Sequence, residues 1–218
     1  LHSIINNERL AAELFRAENS FLKAQISPHF LFNTLDYIYH SIDSNAQDAA
    51  DAIIVLSKIM RYSIDPTQDD GFVLLGEEIQ QVQNLISLYQ LRKPNSLILE
   101  LRIAEEVRRI RFIPLVLLTL VENTYKHADL TKSRMAFMSI YIEDGILNIE
   151  TGNHFNIHVK TSGTGNGIKN TKNRLQDAFG NSVSFESRSN EDGYFTVSIK
   201  VPTNELTTCA PTNSQFTR

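Results

Sequence analysis

Between residues 10 and 42, apolar or small side chains recur at alternating spacings of four and three: Leu10, Leu14, Ala17, Phe21, Ala24, Pro28, Leu31, Leu35, Ile38 and Ile42. A seam kept over roughly four heptads demands a long helix that lays one stripe against another helix, and a second copy of the chain is the simplest partner. Leu22, Ile26 and Phe30 add a second stripe, which places that helix in a bundle of more than two. Asp43-Ser-Asn-Ala-Gln-Asp48 reads as a turn, and Ala49, Ile53, Leu56 and Met60 repeat the pattern in a second helix that ends before Pro66. Residues 1–70 are therefore expected to form a helical hairpin, two of which build a dimeric four-helix bundle.

Beyond Leu74-Leu75-Gly76 the periodicity becomes mixed. Ile79, Val82, Leu85, Ile86 and Tyr89 describe a third helix, closed by Lys93-Pro94-Asn95, and residues 97–103 alternate as a strand. Pro114 opens a strongly apolar helix that reaches about Ala128. Strands are expected at residues 135–142, 146–151, 183–187 and 194–201, with a helix at 168–179 after a polar loop holding Gly163, Gly165 and Gly167. The chain is thus expected to be α+β: the hairpin first, an α/β sandwich over residues 71–203, and a disordered tail at 204–218.

Composition narrows the partners. Apolar content of 42% and charged content of 21% suit a soluble globular chain, and a net charge of −4 gives no reason to expect nucleic-acid binding. The one cysteine, Cys209, forbids an internal disulfide framework and fits a reducing, cytosolic setting. No stretch approaches the roughly 18 apolar residues that span a bilayer. Leu1 is not methionine, however, so the chain reads as a fragment or a processed form, and a membrane anchor is expected N-terminal to Leu1.

Three constellations carry chemistry. His29 follows Pro28 inside the helical pattern, on an outward heptad position, with Asn33 one turn further along the same face. An interior proline costs a helix about 3 kcal/mol. Two readings fit: a reactive, accessible imidazole, or a surface histidine beside a kink. The apolar helix keeps a narrow polar stripe of Thr119, Asn123, Lys126 and His127, with Glu122 beside it. An amide oxygen from Asn123 suits Mg²⁺ that bridges to phosphates, with Lys126 and His127 near the phosphate charge; a stripe facing solvent fits equally. Ser162-Gly-Thr-Gly-Asn-Gly-Ile168, ahead of a helix, offers free amides to an anion, although many helices follow such turns. His154 and His158 lack an evident third ligand and lie on what reads as a loop, so they make no metal site.

Together these residues resemble the LytS-type sensor histidine kinases, whose catalytic domain has the GHKL (Bergerat) ATP-binding fold, over residues 21–201. Gln25-Ile-Ser-Pro-His-Phe-Leu-Phe-Asn33 is similar to the family's phosphoacceptor box, residues 114–127 to its N box, and Gly165-Asn-Gly-Ile-Lys-Asn-Thr-Lys-Asn-Arg-Leu175 to its second glycine box. The resemblance implies that His29 is autophosphorylated from MgATP, that Asn123 holds Mg²⁺, and that Gly165 and Gly167 form a lid over the triphosphate. Asn170 and Arg174 match the same box. It further implies a homodimer, transfer to an aspartate of a response regulator, by family resemblance of the LytTR type, and a bacterial setting as the cytoplasmic part of an inner-membrane protein.

Two departures matter. The first glycine box, ordinarily Asp-x-Gly-x-Gly with the aspartate on the adenine amino group, here reads Glu150-Thr-Gly-Asn-His-Phe155. Strand alternation from Leu147, Ile149 and Thr151 puts Asn153 at the aspartate's place, where an amide oxygen still accepts from the adenine amino group. Many histidine kinases carry an acidic residue directly after the phosphoacceptor; here it is Phe30, so Glu122 is the candidate base or orienter, and Asn33 a candidate for orienting water in dephosphorylation. The altered box leaves a non-catalytic dimeric scaffold as an alternative. A GHKL ATPase, with a glutamate beside the N-box asparagine activating water, is a second.

Overall fold

The computed structural model describes residues 28–41, 46–64, 71–92, 97–129, 135–155 and 166–206, and the chain divides into two compact units, residues 1–65 and 66–218. The seam over residues 10–27, the residues ahead of Pro28 that the expected kink involves, and the tail beyond residue 206 lie outside the described residues; residues 204–206, expected to open the disordered tail, are instead described, with a 3-10 turn over Thr203–Glu205. Among those described, no helix is long and apolar enough to cross a membrane.

In the first unit, α1 (Pro28–Ser41) and α2 (Ala46–Ile64) pack together as a hairpin. The contact stripe on α2 is Ala49, Ala52, Leu56, Ile59 and Ser63, a three–four repeat that faces Thr34 and Ile38, all of them buried. Of the residues placed on the heptad pattern by spacing, Ile38, Ala49 and Leu56 are buried in the hairpin, whereas Leu35, Ile53 and Met60 are 53%, 48% and 37% exposed on the single chain, with Tyr39 and Ile54 also outside. Both helices are apolar over more than one stripe, and spacing alone does not say which stripe meets the other helix.

The second unit is a five-stranded sheet of order β2-β4-β5-β7-β6, from β2 (Ile98–Ile103), β4 (Met135–Glu143), β5 (Ile146–His154), β6 (Ser184–Ser189) and β7 (Tyr194–Pro202). Only β2 and β4 pair in parallel. Three helices accompany it: α3 (Leu75–Arg92), α4 (Val116–His127) and α5 (Asn166–Phe179). Alternation sorts the strands. Met138, Ile140, Leu147, Ile149, Val197, Ile199 and Val201 are buried, and Ile140, Ile149, Ile199 and Phe185 fall in one register row. The α/β sandwich expected for this half is present. Its β5 runs three residues further than expected, through His154, because β7 pairs with it as far as Tyr194.

Two short strands escaped the sequence reading: β1 (Val73–Leu74) and β3 (Arg111–Phe112) pair antiparallel and bring the start of α3 beside the approach to α4. Gly152 has a packing reason of its own, since a Cβ there would run into the Phe137 ring and the Tyr194 hydroxyl.

Burial places α4. Val116, Leu117, Leu118, Leu120, Val121 and Thr124 are all buried, so the helix touches α3, α5 and β5 rather than water. Its first amides cannot be solvated and need a protein acceptor. Glu78 of α3 supplies it: the Leu117 N–H donates to Oε1 at 2.7 Å and the Leu118 N–H at 3.4 Å. Ahead of the helix, Leu115 sits in the left-handed region at φ 66°, unusual for a leucine and costing about 1 kcal/mol or more.

Glu78 is fully buried, and burial pushes its carboxyl up from the ordinary 4.5 to about 7, against the opposing effect of the Leu117 and Leu118 amides and of Arg174. A carboxyl with a raised folded-state pKa contributes stability below the unfolded value, which is lost as pH rises through the folded value. Between pH 4.5 and about 7 the wild-type unit should lose roughly 3 kcal/mol on this account. Glu78→Gln should flatten that slope, measured by urea unfolding of the whole chain across this range.

Candidate nucleotide site

Asn123 lies on the one stripe of α4 that is not apolar. Its Nδ2 donates to Thr119 O at 2.8 Å, and the Thr119 hydroxyl donates to Leu115 O at 2.6 Å. With the nitrogen committed to the backbone, Oδ1 is the end of the amide left to act as a ligand. Gly167 of α5 lies directly across: a Cβ there would stand 3.1 Å from Asn123 Nδ2 and 3.6 Å from Thr119 Cγ2. The absence of a side chain lets the start of α5 close on Asn123.

Asn153 is arranged in the same manner. It is 3% exposed near the end of β5, and its Nδ2 donates to His154 O at 3.0 Å, again leaving Oδ1 as the acceptor. The Asp129 N–H donates to the same carbonyl at 2.7 Å, and an isolated bridge pairs Ala128 with Phe155. The end of α4 is thereby tied to the end of β5, and the two asparagines sit on connected elements.

The other expected residues are distributed around this pair. Glu122 is half-buried, and its charge, second to desolvation, raises the pKa of the half-buried Tyr89 on α3. Tyr89 stacks on Tyr125 with ring centroids 4.1 Å apart. Lys126 is exposed and His127 half-buried; burial, with Lys126 adding, holds the His127 imidazole below its ordinary pKa, so at neutral pH it is uncharged. The fixed positive charge at this end of α4 is Lys126. Asn170 is exposed on α5. The Arg174 guanidinium donates to Pro114 O at 2.7 Å, which gives it a tie to the start of α4. Gly165 and His158 lie outside the described residues. His154 is on a strand rather than a loop, its ring edge-on to Tyr194 at 4.9 Å, and among the described residues no group of histidine, cysteine and carboxylates is arranged to hold a metal. In the other unit, His29 and Asn33 lie on α1, Asn33 half-buried.

The sequence reading missed Glu78, Asp129 and Thr171. Thr171 is buried on α5 and donates to Gly167 O at 2.9 Å. Glu78 follows Glu77 on an amphipathic helix, where acids read as a solvated face. Its usable signal is position: Glu78 precedes Ile79 and lies four residues before Val82, on the buried side of the stripe.

Residues 17–97 match the family model described as histidine kinase. "Sensor protein LytS" of Staphylococcus epidermidis is 28% identical over 201 residues, covering 85% of this chain and 34% of the relative. "Sensor histidine kinase/phosphatase LytS" of Staphylococcus aureus is 26% identical over 196 residues, covering 81% of this chain and 33% of the relative. The chain therefore spans about a third of the length of the curated relatives it matches. Among solved structures, the histidine kinase domain of the Erythrobacter litoralis EL346 blue-light activated histidine kinase gives a TM-score of 0.47 at 11% identity, covering 90% of this chain and 95% of that one, a likeness too distant to carry an argument.

A branched side chain in place of Gly167 has to displace Asn123. Gly167→Val is expected to destabilise the unit by roughly 1–2 kcal/mol and to move the Asn123 amide off Thr119. Thermal melts and a crystal structure of the variant check this, and an unmoved Asn123 would contradict the packing.

Proposed function

We propose that this chain is the kinase portion of a LytS-type sensor histidine kinase of a two-component system, binding MgATP and phosphorylating itself on His29, a reading supported by the histidine kinase family match over residues 17–97 and by the similarity to the LytS proteins. The observation that carries the reading is the meeting of Asn123 and Gly167, an amide oxygen and a side-chain-free backbone brought together at the start of α5. The donor set fits the groups proposed: a hard oxygen for the cation at Asn123, and an acceptor for an adenine amino group at Asn153. Mg²⁺, when bound, supplies charge neutralisation at the phosphates.

The chain's own residues do the rest. Asn123 Oδ1 holds the cation, Gly167, with Gly165 by family resemblance, lets backbone approach the triphosphate, and Lys126 adds positive charge. The unprotonated His29 nitrogen attacks the γ-phosphorus. An N–P bond forms as the bond to the β,γ-bridging oxygen breaks, ADP leaves, and the ring N–H proton passes to a base, for which Glu122 is the candidate. The phosphoramidate then passes its phosphoryl group to an aspartate of a response regulator, of the LytTR type by family resemblance. The printed name of the Staphylococcus aureus relative includes a phosphatase; Asn33, one turn beyond His29, is the residue we assign to orienting water in the reverse task.

Leu35, Tyr39, Ile53, Ile54 and Met60 leave the hairpin an apolar surface, which supports a homodimer built as a four-helix bundle. The chain spans about a third of the length of its LytS relatives, and by family resemblance the dimer would lie on the cytoplasmic side of a bacterial inner membrane.

With γ-labelled ATP and Mg²⁺, the wild-type chain should acquire acid-labile label that His29→Ala lacks; label surviving in that variant would remove His29 from the mechanism. Asn123→Ala should weaken Mg-nucleotide binding at least about tenfold with the dimer intact, read by calorimetry and sedimentation. Ile53→Glu should shift the chain from dimer to monomer, and an unchanged sedimentation coefficient would contradict the bundle.

A further inference from the structure

We propose that Glu78 and Arg174 form a positioning couple that fixes α5 against the start of α4, holding Gly167 at Asn123. The functional consequence rests on the nucleotide reading; the coupling itself does not. Two elements converge on the segment Pro114–Leu118. From α3, Glu78 Oε1 accepts from the Leu117 and Leu118 amides, while among the described residues Oε2 has no hydrogen-bond partner although the side chain is fully buried. From α5, Arg174 donates to Pro114 O at 2.7 Å, and its positive charge acts on Glu78.

The arrangement is selective in what it joins. One face of α5 is buried through Thr171, Leu175 and Phe179, the last stacked on Phe112 at 5.3 Å. Those contacts hold the helix down on the core, but apolar contact is non-directional and leaves sliding along the groove cheap. A guanidinium tied to a carbonyl and drawn to a buried carboxylate has a fixed bearing. Gly167 lies two turns away on the same helix, so a shift at Arg174 is carried to the contact with Asn123. Glu78 touches neither proposed ligand; it acts through α4 and Arg174, and is a positioning residue.

The test uses the whole chain with Glu78→Gln, Arg174→Met, Arg174→Lys and the double variant Glu78→Gln/Arg174→Met. Glutamine keeps an acceptor for the Leu117 amide and removes the charge, so the fold is retained. Amide hydrogen exchange without nucleotide should rise about tenfold in the first turns of α5 in Glu78→Gln and in Arg174→Met, with β4 and β5 unchanged, and the double variant should be no faster than either. Mg-ADP affinity should follow the same pattern, each single about tenfold weaker and the double similar, with Arg174→Lys recovering most of it. Multiplying effects, or α5 exchange unmoved by either single substitution, would overturn the couple. If the wild-type chain binds no Mg-ADP, the nucleotide reading fails while the exchange data still decide the coupling.

Discussion

A helix buried on nearly every side sets the terms for the rest of the second unit. Six of the twelve residues of α4 are out of water, so its leading amides must be met by protein and its few polar side chains must be where a polar partner is provided. The first demand brings in Glu78, whose carboxylate costs free energy to bury and is retained where it accepts two backbone amides. The second demand singles out Thr119 and Asn123, the polar residues opposite Gly167. Location of the candidate site thus follows from how α4 is buried before any chemistry is considered.

The two asparagines show how neutral side chains are given a definite polarity. An amide free to rotate offers a donor and an acceptor in equal measure. Asn123 and Asn153 each spend their nitrogen on a carbonyl, Thr119 O in one case and His154 O in the other, which leaves oxygen as the end of each amide able to accept. That is the polarity the proposed roles, toward a cation and toward an exocyclic amino group, would require.

What the sequence disclosed and what it hid divide along range. The elements of the second unit were legible because alternation and helical period are local, and the α4 stripe was legible because polar residues on an apolar helix stand out. Glu78 was not, since its partners lie 39 and 40 residues away and nothing local distinguishes it from Glu77. The two-residue strands β1 and β3 are too short to show a period. At the end of β5, Gly152 to His154 fall beyond the strand expected from alternation; pairing with β7 and packing of Gly152 against Phe137 and Tyr194 make them strand. In the hairpin the period alone does not separate two apolar surfaces: the structure has an inner stripe through Ala52 and Ile59 and an outer apolar surface through Ile53 and Met60.

That division of the hairpin has an energetic reason. Alanine at 49 and 52 lets α1 and α2 approach closely, while the larger Leu35, Ile53, Ile54 and Met60 are left on the outside. Exposed side chains of that size are costly on a monomer, at roughly 25 cal/mol per Å² of apolar surface left in water, and two helices have too little shared surface to cover them. The exposed residues form an apolar surface distinct from the inner stripe of Thr34, Ile38, Ala49, Ala52, Leu56 and Ile59. Each helix is thus apolar over more than one stripe, and a period read along the sequence does not by itself say which stripe meets the other helix of the same chain.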